Sequence, residues 1–384
     1  MIARTAAFSI VPNNKKHHYV PRFYLKRFST DGKSINLYNL RSAKTILSAN
    51  LSNQCYRDYF YGRDSDVERA LSQSEGMAAD LFRAIDEIGS LPPPGTSGFL
   101  LLILYLAMQS ARTTHSAELV NEMSNNLMQH VLAQDAEMKG LDLSEVKIGI
   151  KDPAVFALQA AIQGYPLLLD LECKLLFSRC GESFITSDNP IVMYNQFFFF
   201  RRFVSNTGMP SKGLQIFFPL GPDKIALFYD AAVYRVGDRK REVIEITDRR
   251  DVYELNSLQM CSASANVYFA DSEIDLGALH AKTKPFLRSR KSSFEVIPGE
   301  STRMGGSQYL ATSQEDIRTN LSLTFVRVRK AAKRWRDEFR ETRAQPTVVV
   351  RDRKMMDAHE EFIERVRKGE LQPSEFFEFL ATKT

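Results

Sequence analysis

The chain has 384 residues, of which 44% are hydrophobic and 25% charged, a composition that fits an ordinary globular protein and excludes collagen-like or low-complexity chains. The formal net charge of +5 and a pI near 8.9 suit a polyanionic partner without requiring one. Cys55, Cys173, Cys180 and Cys261 are scattered without C-x-x-C spacing, which excludes a zinc ribbon or a disulfide framework and leads to the expectation of a reducing, cytoplasmic location.

Near the start of the chain stands Lys15-Lys16-His17-His18-Tyr19-Val20-Pro21-Arg22-Phe23-Tyr24-Leu25-Lys26-Arg27-Phe28. Before it, residues 6–11 form an apolar patch too short for a signal-peptide core. Pro21 biases Val20 away from helix, so 17–20 should be extended. Adjacent side chains on an extended strand leave opposite faces, so one of His17 and His18 faces a site while the other packs or meets solvent. A short helix is expected from Arg22, anchoring the imidazole. Histidine is also a common packing residue, so the pair alone does not define a site.

Residues 35–40 alternate apolar and polar and read as a strand after the turn Thr30-Asp31-Gly32. Over 66–89, Val67, Ala70, Leu71, Ala78, Leu81 and Ile85 keep helical spacing, with Asp66 as cap. Glu68 and Glu75 fall on one stripe of that helix, at the edge of its apolar face. A carboxylate there either enters a polar site or forms a solvated flank. Pro92-Pro93-Pro94-Gly95 is a stop. A second helix is expected from about 96 to at least 117. Its apolar run, 99–108, is about half of the ~20 residues a membrane span needs, so this is a core helix and no membrane partner is expected. Gln109 and Arg112 leave it on the side of Leu102 and Tyr105. Arg112 therefore needs an anion, either a protein carboxylate or a phosphate. Helices should continue to about 139, with His130 on a helix face, and from Asp152-Pro153 to about 171.

Near residue 172 the pattern changes to strands, at 173–180 and 183–186. The second leads into Ser187-Asp188-Asn189-Pro190. There Asp188 is either a site carboxylate at a sheet edge or part of an ordinary Asx-type turn. The run 197–203, with four consecutive phenylalanines and two arginines, reads as an edge strand or a contact surface. Further strands are expected at 214–219, 225–229 and 267–270, and a helix at 251–263. The Gly- and Ser-rich stretch 299–314 reads as loop. Residues 323–343 are densely basic around Trp335, which fits either a nucleic-acid contact or a solvated helix with salt bridges. Two short amphipathic helices should follow at 357–368 and 373–381.

Several stretches together resemble one bacterial and phage family, catalogued as domain-of-unknown-function family 4238. They are Lys16-His17-His18-Tyr19-Val20-Pro21 with Tyr24-Leu25 and Phe28; Glu68 and Glu75; Gln109 and Arg112; Phe184-Ile185-Thr186-Ser187-Asp188-Asn189-Pro190; Pro219-Leu220; and Leu255-Asn256 ahead of Ala265. The resemblance covers roughly 15–270. It raises the rank of His17, His18, Asp188 and Asn189 without naming their chemistry. By analogy it implies a link to phage defence or mobile elements.

The expected fold is α+β, with one core over 15–295. A helical half over 66–171 packs on an antiparallel or mixed sheet over 172–295, and a basic helical C-terminal region spans 315–384. The expected function is a metal-dependent nuclease or phosphodiesterase. Its catalytic set is His17, His18, Glu75, Arg112, Asp188 and Asn189. His18, Glu75 and Asp188 would hold magnesium or manganese to activate water, and Arg112 would hold a phosphate. No P-loop, H-E-x-x-H, G-x-S-x-G or dinucleotide fingerprint supports a more specific reading. The alternative is a non-catalytic nucleic-acid-binding or sensor protein that uses Arg327, Arg329, Lys330, Lys333, Arg334 and Arg336, with the His and Asp motifs serving the fold.

Overall fold

A computed structural model describes residues 15–63, 65–134, 146–201, 205–270, 274–288, 292–302, 305–314, 316–341 and 348–383. The opening segment contains β1 (Lys16–His18), α1 (Arg22–Leu25), β2 (Ser34–Asn39), β3 (Lys44–Asn50) and β4 (Tyr56–Asp58). Four helices follow: α2 (Ser65–Ile88), α3 (Ser97–Ala111), α4 (Thr114–Gln134) and α5 (Pro153–Gly164). Next come β5 (Glu172–Ser178), β6 (Thr186–Ser187), β7 (Val192–Tyr194), β8 (Gln215–Gly221), β9 (Lys224–Tyr229), β10 (Tyr234–Val236) and β11 (Val243–Ile246). The chain continues through α6 (Arg249–Ser262), β12 (Asn266–Phe269), α7 (Leu276–Thr283), β13 (Ser292–Thr302), β14 (Gly305–Gln314) and β15 (Val326–Val328). It closes with α8 (Lys330–Glu341), α9 (Arg353–Arg367) and α10 (Phe376–Ala381).

The fold is α+β. A mixed sheet of order β11-β5-β9-β8-β7 carries one parallel pair, β11 with β5. An antiparallel sheet of order β3-β2-β12-β6 draws two strands from the opening segment and two from beyond residue 185. The helical run is therefore an insertion between strands that share a sheet.

The core lies where α3 meets the mixed sheet. Leu102, Ile103, Leu106 and Ala107 of α3 and Phe218 and Phe228 of the sheet are fully buried. Tyr24 of α1 stacks on Phe218 with ring centroids 5.3 Å apart. Its hydroxyl donates to the Pro219 carbonyl at 2.8 Å and accepts from Thr186 Oγ1 at 2.6 Å. One buried phenol thus ties the opening helix to both sheets, with both of its polar demands met.

Three expectations are corrected. The single helix expected over 96–117 is two, broken after Ala111. Thr113 starts the second: its Oγ1 accepts from the Ser116 amide and its carbonyl from the Ala117 amide. A threonine that takes these orphan amides competes with continuation of the first helix. The stretch 299–314 is not loop but most of a β13–β14 hairpin, paired from Ser292↔Gln314 to Thr302↔Gly305. Partner strands supply the hydrogen bonds whatever the composition. Within the aromatic run, Phe197 and Phe198 are buried against Trp335 and Phe339 of α8 instead of forming an edge strand. Residues 202–203 of that run lie outside the described residues, as do 342–343 of the basic stretch.

The basic region is tied to the core. β15 pairs antiparallel with β10, and Trp335 stacks over Phe197 at 6.1 Å. No helix among the described residues is long and apolar enough to cross a membrane.

Candidate functional site

The strand alternation at β1 separates the two histidines. His17 is 1% exposed. Its ring stacks on Tyr61 and its Nδ1 accepts from the Tyr61 amide at 3.2 Å, so a neutral His17 carries its proton on Nε2. His18 turns the other way. Its Nδ1 lies 3.0 Å from the Gln54 carbonyl. A carbonyl only accepts, so Nδ1 carries the proton and Nε2 is left as a basic lone pair. Burial holds the His18 imidazole below the usual histidine range, and the positive charges of Arg22, Arg112 and Lys16 add to this against the Gln54 hydrogen bond.

His18 lines an open cleft of about 240 Å³ between the opening segment and α2, with Arg22, Glu68 and Glu75. The two carboxylates are the pair spaced seven apart on one stripe of α2. Burial pushes the Glu68 carboxyl above its ordinary range, the fields of His17 and Arg112 oppose this, and Glu75 adds to it. Glu75 is held differently. Its Oε1 accepts from Arg112 Nη2 at 2.7 Å. Arg112 also donates to the His18 carbonyl at 2.8 Å and to Tyr61 Oη at 3.1 Å. Arg112 is 2% exposed. Its anion is thus a protein carboxylate, and it fixes the backbone of His18 and the side chain of Glu75 together. Tyr105 Oη, buried in the field of Arg112 and Glu75, has no hydrogen-bond partner.

Asp188 is spent elsewhere. Its Oδ1 accepts from the Ser264 amide at 2.8 Å, and its Oδ2 from the amides of Ala265 at 2.7 Å and Asn266 at 3.2 Å. It clamps the turn between α6 and β12. Asn189 completes the clamp, donating to the Ser262 carbonyl and accepting at its own carbonyl from Gln259 and Ser262. Neither residue lines the His18 cleft.

The metal set of His18, Glu75 and Asp188 is therefore not assembled. Two of its three members are already held, one by an arginine and one by backbone amides. Among the described residues no three His, Cys, Asp or Glu are grouped to hold a metal ion. The donors present do not fit magnesium or manganese, which take several converging oxygens.

Of the basic residues, Arg327, Arg329, Lys330, Lys333 and Arg334 are exposed and Arg336 is half-buried. Arg329 Nε donates to the carbonyls of Ala231 and Tyr234, which serves the fold. The sequence reading did not assign a site role to Arg22 or Glu68. Glu68 was marked by its stripe with Glu75, and Arg22 by its place at the start of the short helix that follows His18.

The model for the family described as "Protein of unknown function (DUF4238)" matches residues 16–273. No curated protein and no solved structure matches the chain. The matched span takes in both the His18 cleft and the Asp188 clamp, and the chain belongs to the DUF4238 family.

Proposed function

We propose that the protein is a phosphodiesterase that cleaves RNA by acid–base chemistry at the His18 cleft. The observation that carries this reading is the pairing, in one open cleft, of a histidine base and a carboxylic acid. His18 has its Nδ1 pinned and its Nε2 unused, and it is kept neutral by burial. Glu68, on the same cleft, is kept nearer to its protonated form. A histidine pushed toward its neutral form and a carboxyl pushed toward its protonated form give the base and the acid that proton-transfer catalysis needs. RNA is favoured because its own 2′-hydroxyl is the nucleophile, so no bound ion is needed to activate water.

In this reading His18 Nε2 takes the 2′-hydroxyl proton as the oxygen attacks phosphorus. The bond from phosphorus to the 5′-oxygen breaks, and Glu68 gives that oxygen its proton. A 2′,3′-cyclic phosphate and a 5′-hydroxyl result. Arg22, exposed on the cleft wall and without an ion pair among the described residues, is placed to meet the phosphate. Arg112 and Glu75 act as positioning residues through the His18 backbone.

The test incubates the protein with a short RNA and the matching DNA, in EDTA and with added magnesium or manganese. RNA cleavage in EDTA, lost at least ~10²-fold in His18→Ala and Glu68→Gln, is the expected result. Cleavage that requires a metal contradicts the acid–base reading.

A second reading, a nucleic-acid-binding protein without catalysis, has one observation in its favour. Arg235 and Arg327 stand directly opposite across the β10–β15 pair, both exposed. Like charges so placed repel unless an anion lies between them. Absence of any RNA or DNA cleavage, with binding retained, would favour it.

A further inference from the structure

A second cavity, about 330 Å³ in volume, lies between the helices and the mixed sheet, away from the His18 cleft. Its walls come from the end of α3, the start of α4, α5, the segment leading into β7, the loop 205–209 and Arg288. Much of the wall is small and apolar, from Ala111, Ala157 and Ala161. Arg288 is the exception. Its backbone amide is fixed on the Cys261 carbonyl at 2.8 Å. Its Nε is buried with no hydrogen-bond partner, and the guanidinium makes no ion pair among the described residues.

The carboxylate whose field acts on Arg288 is Asp316, and it is occupied. Asp316 Oδ1 accepts from Thr207 Oγ1 at 2.8 Å and from Ser205 Oγ at 3.3 Å. Its Oδ2 accepts from the amide and side chain of Asn206 at 3.0 and 3.1 Å. Asp316 shapes the loop that walls the cavity and makes no ion pair with the guanidinium. Burial pulls the Arg288 guanidinium down to about 10, against the opposing fields of Asp316 and Cys261. Asn189, 2% exposed, also faces the cavity, and none of the hydrogen bonds among the described residues uses its Oδ1. The first turn of α4, with His115 and Ser116, adds a helix N-terminus to the same wall.

We propose that this cavity is a binding site for a small organic anion: an oxyanion group, phosphate or carboxylate, held by Arg288, on a compact apolar body seated against the alanines. Arg288 is half-buried, and its guanidinium keeps a buried Nε without a hydrogen-bond partner; such an atom is costly, and a bidentate oxyanion is the ligand that best relieves it. The volume matches sites for small metabolites. The site is independent of the RNA-cleaving reading.

The test is calorimetric titration of the full chain with four probes: adenosine monophosphate, its neutral counterpart adenosine, benzoate and benzamide. An anion that binds while its neutral counterpart does not is the expected result, and which pair shows it distinguishes phosphate from carboxylate. Arg288→Gln should weaken that anion about tenfold or more, and Arg288→Lys should recover part of the loss. Ala160→Phe, at an exposed position on the cavity wall, should block binding while leaving the fold intact. This keeps the test decisive should Arg288→Gln fail to fold. Equal binding of neutral and anionic probes, no binding by any of the four, or unaltered affinity in Ala160→Phe would overturn the proposal.

Discussion

The His18 cleft and the Asp188 clamp are both polar clusters inside an apolar fold, and they use their polar atoms in opposite ways. At the clamp, both carboxylate oxygens of Asp188 are satisfied by backbone amides of residues 264–266. At the cleft, His18 Nε2, the Glu68 carboxyl and the Arg22 guanidinium have no hydrogen bond among the described residues, while Arg112 holds the His18 carbonyl and Glu75 Oε1, and the Tyr61 amide holds His17 Nδ1. A cluster that completes its own hydrogen bonds stabilises; a cluster that holds groups in place and leaves their reactive atoms unused is arranged for a ligand. Substitutions should therefore divide between loss of stability and loss of rate.

The largest stability loss is expected at the clamp. Asp188→Ala strips three half-buried amides of their acceptor and should cost about 3 kcal/mol, read as a fall in the urea midpoint. Residual folded protein should keep its His18-cleft activity. A variant that stayed stable but lost activity would reverse the comparison. Next comes Arg112→Met, which leaves Glu75 without its partner and releases the His18 carbonyl. It should cost about 3 kcal/mol and also lower activity, because it supports the cleft from behind. His18→Ala is expected to change stability by less than about 1 kcal/mol while abolishing turnover.

These divisions were only partly legible in the sequence. The opposite facing of His17 and His18 follows from strand alternation, and the shared stripe of Glu68 and Glu75 from helical periodicity; both are local rules. The engagement of Asp188 is not local. Its partners lie 76 to 78 residues away, and the same four residues fit an Asx turn or a site equally well. The sequence called for an anion beside Arg112 but could not choose between a carboxylate and a phosphate, since Glu75 sits 37 residues earlier on another helix. The β13–β14 hairpin was hidden because Gly and Ser mark loops by propensity, whereas pairing is decided by a partner strand. Arg288 carried no signal at all: its interest lies in a missing partner, which only coordinates reveal.

The smallest expected effect is the most discriminating for the cleft's cost. The carboxyl of Glu68 is raised above its unfolded range, so the folded state binds more protons than the unfolded state between those two values. Stability from this group therefore falls as pH rises through that window. Glu68→Gln should remove that slope and raise the urea midpoint slightly at pH 7, even as it removes the acid. For His18 the sign is opposite. Its range is lowered in the fold, so the unfolded state binds more protons and stability falls as pH drops below about 6.5. His18→Gln should flatten that limb. A wild-type stability profile identical to that of both variants would mean that neither group is strained by its setting.

The pH dependence of RNA cleavage in EDTA, compared between the wild type and Glu68→Gln, tests the central claim most directly. The account predicts a bell-shaped kcat/KM profile for the wild type. Its acidic limb comes from His18, which must be neutral, and its basic limb from Glu68, which must be protonated. In Glu68→Gln the residual activity should lose the basic limb and keep the acidic one. No cleavage in EDTA at any pH, or a basic limb unchanged in Glu68→Gln, would contradict it.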